Sequence, residues 1–305
     1  MDRIRRVRNA LAGMPVDRPP VSFWYHFPQG QQHGSATVAA HLAYSRDAGI
    51  DFLKIMNEHP YETNVDIHTP SDWRRVRPAP LSALFYQQQL DEVKRIVGGL
   101  QGEALAIVTI FGPFASGNHA SGNQVTEHLK ADPEAVSHGL GAIADSLAEF
   151  GLACVEAGAA GIYYSAQGGE EDRFTEAEFV QYIKPHDLNV LGKLMARGEF
   201  HLLHVCRDRV RLWMFADYPS HAVNWAATKH NPNLAEGRML FKRTVVGGMD
   251  DRGVIAYGTE AEIRAAVRAL IEDVGTEGFM IGADCTIPTG TPVGNVRAAV
   301  EAAAR

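Results

Sequence analysis

Short apolar runs recur along this chain, separated by longer stretches in which apolar residues return at helical spacing. The runs lie at residues 21–27, 52–57, 105–111, 161–165, 200–206, 222–225, 244–249 and 279–285. Each has the length of a strand, and apolar character on successive residues suits a strand covered on both faces. Between them, residues 133–157 read as a long helix, and Thr259 with Glu262 three positions on forms a capping box that opens another over 263–274. The alanine-rich residues 292–304 read as a closing helix. Strands alternating with helices predict βα units and a parallel sheet, and eight of them predict an α/β fold of the (β/α)8 TIM barrel type. A Rossmann-type sheet is the alternative, but no G-x-G-x-x-G opens a helix, and Gly247-Gly248 is too weak a signal.

The pattern shows no linker, repeat, low-complexity stretch or heptad run, so one domain over residues 1–305 is expected. Single α/β barrels reach this length. With 46% hydrophobic and 21% charged residues, the composition is that of a globular protein with a large core. A formal net charge of −7 and the lack of a basic stripe argue against nucleic acid or an anionic membrane surface as partner. Three cysteines, an odd number in a long chain, argue against a disulfide framework and for a reducing cytoplasm. The basic start, Met1 to Arg8, runs into Met14-Pro15-Val16-Asp17-Arg18 without a signal-type apolar core, and reads as a helix. No apolar stretch approaches the roughly 18 residues needed to span a bilayer.

Two of the apolar runs end in metal-binding residue types. One closes on His204-Val205-Cys206 and another, much later, on Asp284-Cys285. Side chains two apart on a strand point to the same side, so His204 and Cys206 offer an imidazole nitrogen and a thiolate to one point in space. Cys285 completes a His/Cys/Cys set if the strand ends converge at a barrel mouth, where the active sites of such barrels lie. Soft sulfur with imidazole selects zinc over magnesium or calcium, and three protein ligands leave a fourth tetrahedral position open. The competing reading is structural. A single buried Cys is commonly a small core hydrophobe, and a lone His on an apolar strand a satisfied core residue. The doubled C-x-x-C pattern of zinc ribbons is absent.

Longer stretches resemble a known family. Residues 8–20 (RNALAGMPVDRPP) are similar to the opening segment of the uroporphyrinogen decarboxylase superfamily, where a helix, a glycine and an Asp-Arg-Pro-Pro turn precede the first strand. Residues 157–164 (AGAAGIYY) resemble its central glycine-alanine turn and fourth strand. Residues 282–292 (GADCTIPTGTP), followed by Asn295-Val296, resemble its ending. Within the superfamily the chain resembles the zinc-dependent methyltransferases, among them the methylcobamide:coenzyme M methyltransferases, which carry a His-x-Cys motif and a distant Cys. True decarboxylases carry an arginine-rich stretch after the first strand and a histidine near the last. Here Val21 to Gln29 contains no arginine, and Cys285 holds the histidine's place. A substrate with many carboxylates would find no facing arginines, which disfavours uroporphyrinogen.

The resemblance implies that His204, Cys206 and Cys285 are the catalytic metal ligands and hold a zinc ion that activates a thiol substrate for methylation. A metal-bound thiol loses its proton near neutral pH while sulfur stays nucleophilic, so in-line transfer then rests on positioning and a dry pocket. No cobalamin-binding module is evident, so the donor is expected on a separate corrinoid protein, as a methylcorrinoid, or as a free small molecule. Two rivals remain: a carbon–carbon lyase of the decarboxylase type acting on a smaller acid, and a non-catalytic zinc-holding partner of a corrinoid protein. Barrel geometry nominates Asn57, Tyr164, Ser165, Gln167, Asn224 and Asp250, at the ends of candidate strands, as substrate contacts, each with a plain loop or cap reading beside it. Residues 117–122, with Asn118 and His119, read as a lid or as a loop without function. His26 is a further candidate ligand or base, Cys154 a core residue, and Glu170-Glu171-Asp172 a solvated charge run. A zinc-bound His204 needs an acceptor for its other ring nitrogen, which spacing does not name. The oligomeric state is open, a homodimer being one arrangement the chain allows.

Overall fold

A computed structural model describes residues 1–304. Seven parallel strands lie in chain order in one sheet: β1 (Phe52–Ile55), β2 (Leu105–Phe111), β3 (Gly161–Ala166), β4 (Leu202–Val205), β5 (Ala222–Trp225), β6 (Thr244–Met249) and β7 (Phe279–Ala283). Nearly every residue of these strands is buried, as their near-continuous apolar sequences require of strands covered on both faces. The register sets Ser165 beside His204 and His204 beside Asn224.

The first apolar run departs from the eight strands expected. Within residues 21–27 only Val21 forms a bridge, to Ile281 of β7. Ser22 N–H donates to Ile281 O at 3.0 Å and Ile281 N–H to Pro20 O at 2.8 Å. On the other side Asp51 N–H donates to Val21 O at 2.9 Å, and the Ser22 hydroxyl to Phe52 O at 2.8 Å. Residues 20–22 therefore bond to both edges of the sheet, but Pro19 and Pro20 have no N–H to extend a ladder backwards. Forwards, Phe23 O accepts from the Tyr44 hydroxyl and Trp24 O from Ile287 N–H, so those carbonyls are taken by a side chain and a loop. Apolar character buried the run without making it a strand.

The helices between strands start where their caps dictate. Thr259 and Glu262 form the expected capping box ahead of helix Glu260–Val274, and Asn233 with Glu236 forms another ahead of Leu234–Phe241. Helix Pro133–Glu156 begins on Asp132, which accepts from Ala135 N–H, with proline in the first turn. Residues 117–120 belong to helix Pro113–Ala120 rather than to a loop, so Asn118 and His119 sit on a regular element. Helix Val293–Ala303 closes the chain as expected, and Cys154 is buried within Pro133–Glu156, where burial pushes its thiol up.

The Asp-Arg-Pro-Pro turn is pinned to β1 through a fully buried carboxylate. Asp51 accepts from Arg6 Nη1 and Arg18 Nη1, both at 2.6 Å, and from Val21 N–H at 2.7 Å. Each charge is matched, without which a buried carboxylate costs several kcal/mol. At Gly161, which opens β3, a Cβ would lie 2.1 Å from Phe200 O, and this close approach seats β3 against the segment entering β4. Among the described residues, no helix is long and apolar enough to cross a membrane.

Candidate metal centre and its cavity

Strand alternation sets the row of side chains that meets at the carboxyl ends of the strands. Lys54 and Met56 share one face of β1 and its end, Tyr163 and Ser165 one face of β3, and His204 and Cys206 one face of β4 and its end. All six line one cavity of about 330 Å³, together with Cys285. Cys206 N–H donates to Ala166 O at 3.0 Å, carrying the ladder one residue past β4, and Arg207 then turns the chain with a φ of 91°. Cys285 lies two residues past β7, placed by Asp284 N–H donating to Met249 O at 2.9 Å.

One ligand atom from each of His204, Cys206 and Cys285 lies within 4.8 Å of the other two. Cys285 Sγ is 3.6 Å from His204 Nε2. Zinc bonds to sulfur and imidazole nitrogen at a tetrahedral angle give an edge of about 3.6 Å, so this donor set fits zinc without rearrangement of that pair.

His204 is 2% exposed, and its Nδ1 lies 2.6 Å from Asn224 Oδ1. Asn224 is fully buried, and its Nδ2 donates to Val246 O at 2.8 Å and Ala283 O at 3.0 Å, on β6 and β7. Both amide hydrogens are thereby engaged, which leaves the amide oxygen as acceptor and assigns the imidazole proton to Nδ1. The Nε2 lone pair then faces Cys285. The Tyr163 ring stacks on the imidazole at 5.2 Å and fixes its plane.

The two thiols act as a pair. The hydrogen bond between them holds Cys285 well below the ordinary thiol range, helped by His204 and against burial, and the same bond, with burial, pushes Cys206 up. Both sulfurs are placed to bind a cation as thiolates. Lys54, also buried, places its ammonium 4.1 Å from the Tyr163 ring centre and 3.4 Å from Met56 Sδ. Burial pushes it down to about 8, against the charges of Cys285, Glu58 and Cys206, and among the described residues it has no carboxylate ion-pair partner. A larger cavity of about 520 Å³ adjoins, sharing His26, Phe111 and Gln167 with the first. Tyr61, Phe85, Tyr86 and Phe150 make much of its wall aromatic. The arrangement joins a small chamber that holds two thiols to a roomier one with a largely aromatic wall on one side.

A profile described as uroporphyrinogen decarboxylase (URO-D) matches residues 40–305 of the chain. The chain belongs to the uroporphyrinogen decarboxylase family. Its fold is shared by a methyltransferase from Methanosarcina mazei, with a TM-score of 0.74 at 17% identity, over 99% of this chain and 98% of that one. A B12-independent methionine synthase from Shewanella sp. W3-18-1, in complex with selenomethionine, gives a TM-score of 0.59 at 15% identity, over 95% and 93% of the two chains. No curated protein sequence matches the chain.

In this URO-D family member the six residues nominated as substrate contacts divide evenly. Ser165 lines the thiol cavity, Asn57 the larger one and Gln167 both. Tyr164, Asn224 and Asp250 line neither. Tyr164 is one residue from Tyr163 and so faces the opposite side of the sheet, where its hydroxyl donates to Asp187 Oδ1 at 2.5 Å. Asn224 stands behind His204. Asp250 pairs with Lys229 at 2.5 Å and accepts from Arg252 N–H, while its neighbour Asp251 reaches the cavity. His26 is a wall residue of both chambers, with Nδ1 2.7 Å from Glu58. Of the charge run, Glu171 and Asp172 are exposed, but Glu170 pairs with Arg173 at 2.8 Å and is half-buried. Lys54 went unnamed in the sequence, although a charge inside Phe52-Leu53-Lys54-Ile55-Met56 was the available signal.

The burial of Asp187 yields a pH dependence of stability. Asp187 is buried and accepts from Tyr164 and from Tyr218 at 2.9 Å, and burial outweighs these bonds, pushing it up to about 7. The folded chain therefore holds a proton that an unfolded carboxyl, ordinarily near 4, gives up. This contribution to stability is complete below about pH 4 and is lost as pH rises through about 7. Urea unfolding between those values should show Asp187→Asn with a flatter pH slope than wild type, by up to on the order of 4 kcal/mol across the range. Parallel slopes for the two proteins would contradict it.

Proposed function

We propose that this protein is a zinc-dependent methyltransferase that moves a methyl group from a methylcorrinoid or another activated donor to a thiol substrate bound at His204, Cys206 and Cys285. The reading includes a (β/α)8 barrel in which residues 20–22, bonded to both sheet edges, take the eighth place. The observation that carries it is the meeting of two thiols and one oriented imidazole at a zinc-like spacing in a cavity at the strand ends. Zinc held there would supply a Lewis acid that deprotonates the incoming thiol while leaving sulfur nucleophilic.

The chain's own residues do the rest. Asn224 holds the His204 proton on Nδ1, which keeps Nε2 as a donor to the metal. Lys54 brings a positive charge to a chamber that gathers thiolates, and offsets their repulsion. The aromatic wall of the adjoining cavity excludes water beside the reacting sulfur and leaves space for a bulky donor. Methyl chemistry on related frames supports the reading, since the fold is shared with a methyltransferase and a methionine synthase.

A zinc-loaded sample titrated with a panel of small thiols, read by zinc X-ray absorption, tests the proposal. A third sulfur in the zinc environment, with methyl transfer from methylcobalamin to the same thiol, is the expected result. A zinc environment indifferent to every thiol, with carbon dioxide released from a small acid by the metal-free protein, would move the assignment to the lyase.

A further inference from the structure

We propose a second metal site, separate from the thiols, built from His33, His59 and Glu92 and suited to a divalent ion of the zinc and cobalt class. The three residues come from separate pieces of chain. His33 precedes helix Gly34–Ala48, His59 lies in the segment after β1, and Glu92 lies within helix Leu84–Gly99. One ligand atom from each lies within 4.8 Å of the other two. Glu92 Oε2 is 3.0 Å from His59 Nε2, and the rings of His33 and His59 are 4.7 Å apart between centres.

Glu92 is the residue that demands an explanation. It is 2% exposed, and carboxylates are almost never so deeply buried without a matched charge. Its Oε1 accepts from Gly34 N–H at 2.6 Å, at the start of helix Gly34–Ala48. Its Oε2 meets only His59, and among the described residues no lysine or arginine forms an ion pair with it. An imidazole alone is a weak counter-charge near neutral pH. A bound cation would match the carboxylate and give both imidazoles a common partner.

The donor set selects the ion. Two imidazole nitrogens and one carboxylate oxygen suit zinc and its neighbours, whereas magnesium and calcium prefer oxygen alone. Tetrahedral bonds to nitrogen and oxygen give an edge of about 3.4 Å, so the 3.0 Å contact need open by only a few tenths of an ångström. His33 is exposed, and Asp91, whose carboxylate pairs with Arg95 at 3.1 Å, lines the same surface depression. The depression supplies an entry path, and three protein ligands leave a position for water.

The location gives the site a role. His59 also walls the larger cavity, as do its neighbours Asn57, Glu58 and Tyr61. An ion on His33, His59 and Glu92 clips that wall to the two helices behind it. It would therefore shape the substrate chamber without touching the reacting sulfur.

Metal-stripped full-length protein, dialysed against micromolar zinc chloride, should retain about two zinc ions per chain by elemental analysis. His33→Gln should lose one of them while keeping its wild-type circular dichroism, because an exposed side chain adds little to folding. Glu92→Gln should lose the same one, and Cys206→Ser with Cys285→Ser should lose the other. Cobalt distinguishes the sites, since only the thiol site gives strong sulfur charge-transfer absorption, which His33→Gln should leave intact. If the thiol site binds nothing, wild type holds one ion that His33→Gln abolishes; that result would sink the methyltransferase reading and leave this one standing. A zinc content unchanged by His33→Gln and Glu92→Gln, or a second ion held only at millimolar zinc, overturns the proposal.

Discussion

Cys285→Ser is expected to cost the protein about one zinc per chain and methyl transfer by about a thousandfold or more, several kcal/mol of lost stabilisation. A serine oxygen replaces the thiolate that the Cys206 and His204 contacts favour, and the hydroxyl does not ionise near neutral pH to take its place. Cys206→Ser should behave alike, because the two sulfurs and an imidazole nitrogen lie within 4.8 Å of one another. The fold should persist, since Cys285 lies past the end of β7 and is only half-buried. Cys154→Ser is the control: that thiol is buried in helix Pro133–Glu156, and its replacement should leave the metal in place. Elemental analysis beside a transfer assay reads both outcomes. Full zinc and full rate in either site variant would remove the basis for a metal-bound thiol.

Asn224→Leu should weaken zinc binding about 10- to 100-fold, although Asn224 does not reach either cavity. The substitution takes away the acceptor for His204 Nδ1–H and the donors to Val246 O and Ala283 O. Each buried group left without its partner costs about 1–3 kcal/mol, so the melting temperature should fall as well. Asn224→Asp separates the two effects. It keeps an acceptor for the imidazole and should retain most of the zinc affinity, while its second oxygen faces two carbonyls and stability drops. Competition with a chromogenic chelator gives the affinities, and thermal unfolding gives the stabilities. If Asn224→Leu changed KM for a thiol but left zinc affinity intact, direct substrate contact would be the better account.

Much of the candidate site was legible in local patterns. His204-Val205-Cys206 on an apolar run forces imidazole and thiol to the same face, and a cysteine closing another apolar run proposes a partner. The same alternation separates Tyr163 and Ser165 from Tyr164. Naming both Tyr164 and Ser165 as pocket residues followed from their shared position at a strand end, and period two overrules it. Asn224 was singled out for the right place and the wrong neighbour. Its position on β5 followed from the sequence, but its contact with His204 depends on the register of β4 against β5.

Other features had no local signal. Residues 21–27 are as apolar as any strand, yet their carbonyls meet Tyr44 and Ile287, which lie far away along the chain. Lys54 counts as one charge in an apolar run until the sheet curves it toward Tyr163 and the thiols. His33, His59 and Glu92 share no spacing rule, and only the packing of helices Gly34–Ala48 and Leu84–Gly99 beside the segment after β1 brings them together.

The sequence by itself determined the alternation of strand and helix, the helix starts at their caps, and which side chains share a face, because these follow from dihedral preferences and periodicities acting over a few residues. Only the tertiary structure decided the number of true strands, the inward turn of Lys54, the hydrogen bond that orients His204, and the 3.6 Å approach of Cys285 to that imidazole. Distances between elements depend on how the sheet curves and registers, and those are properties of the packed whole.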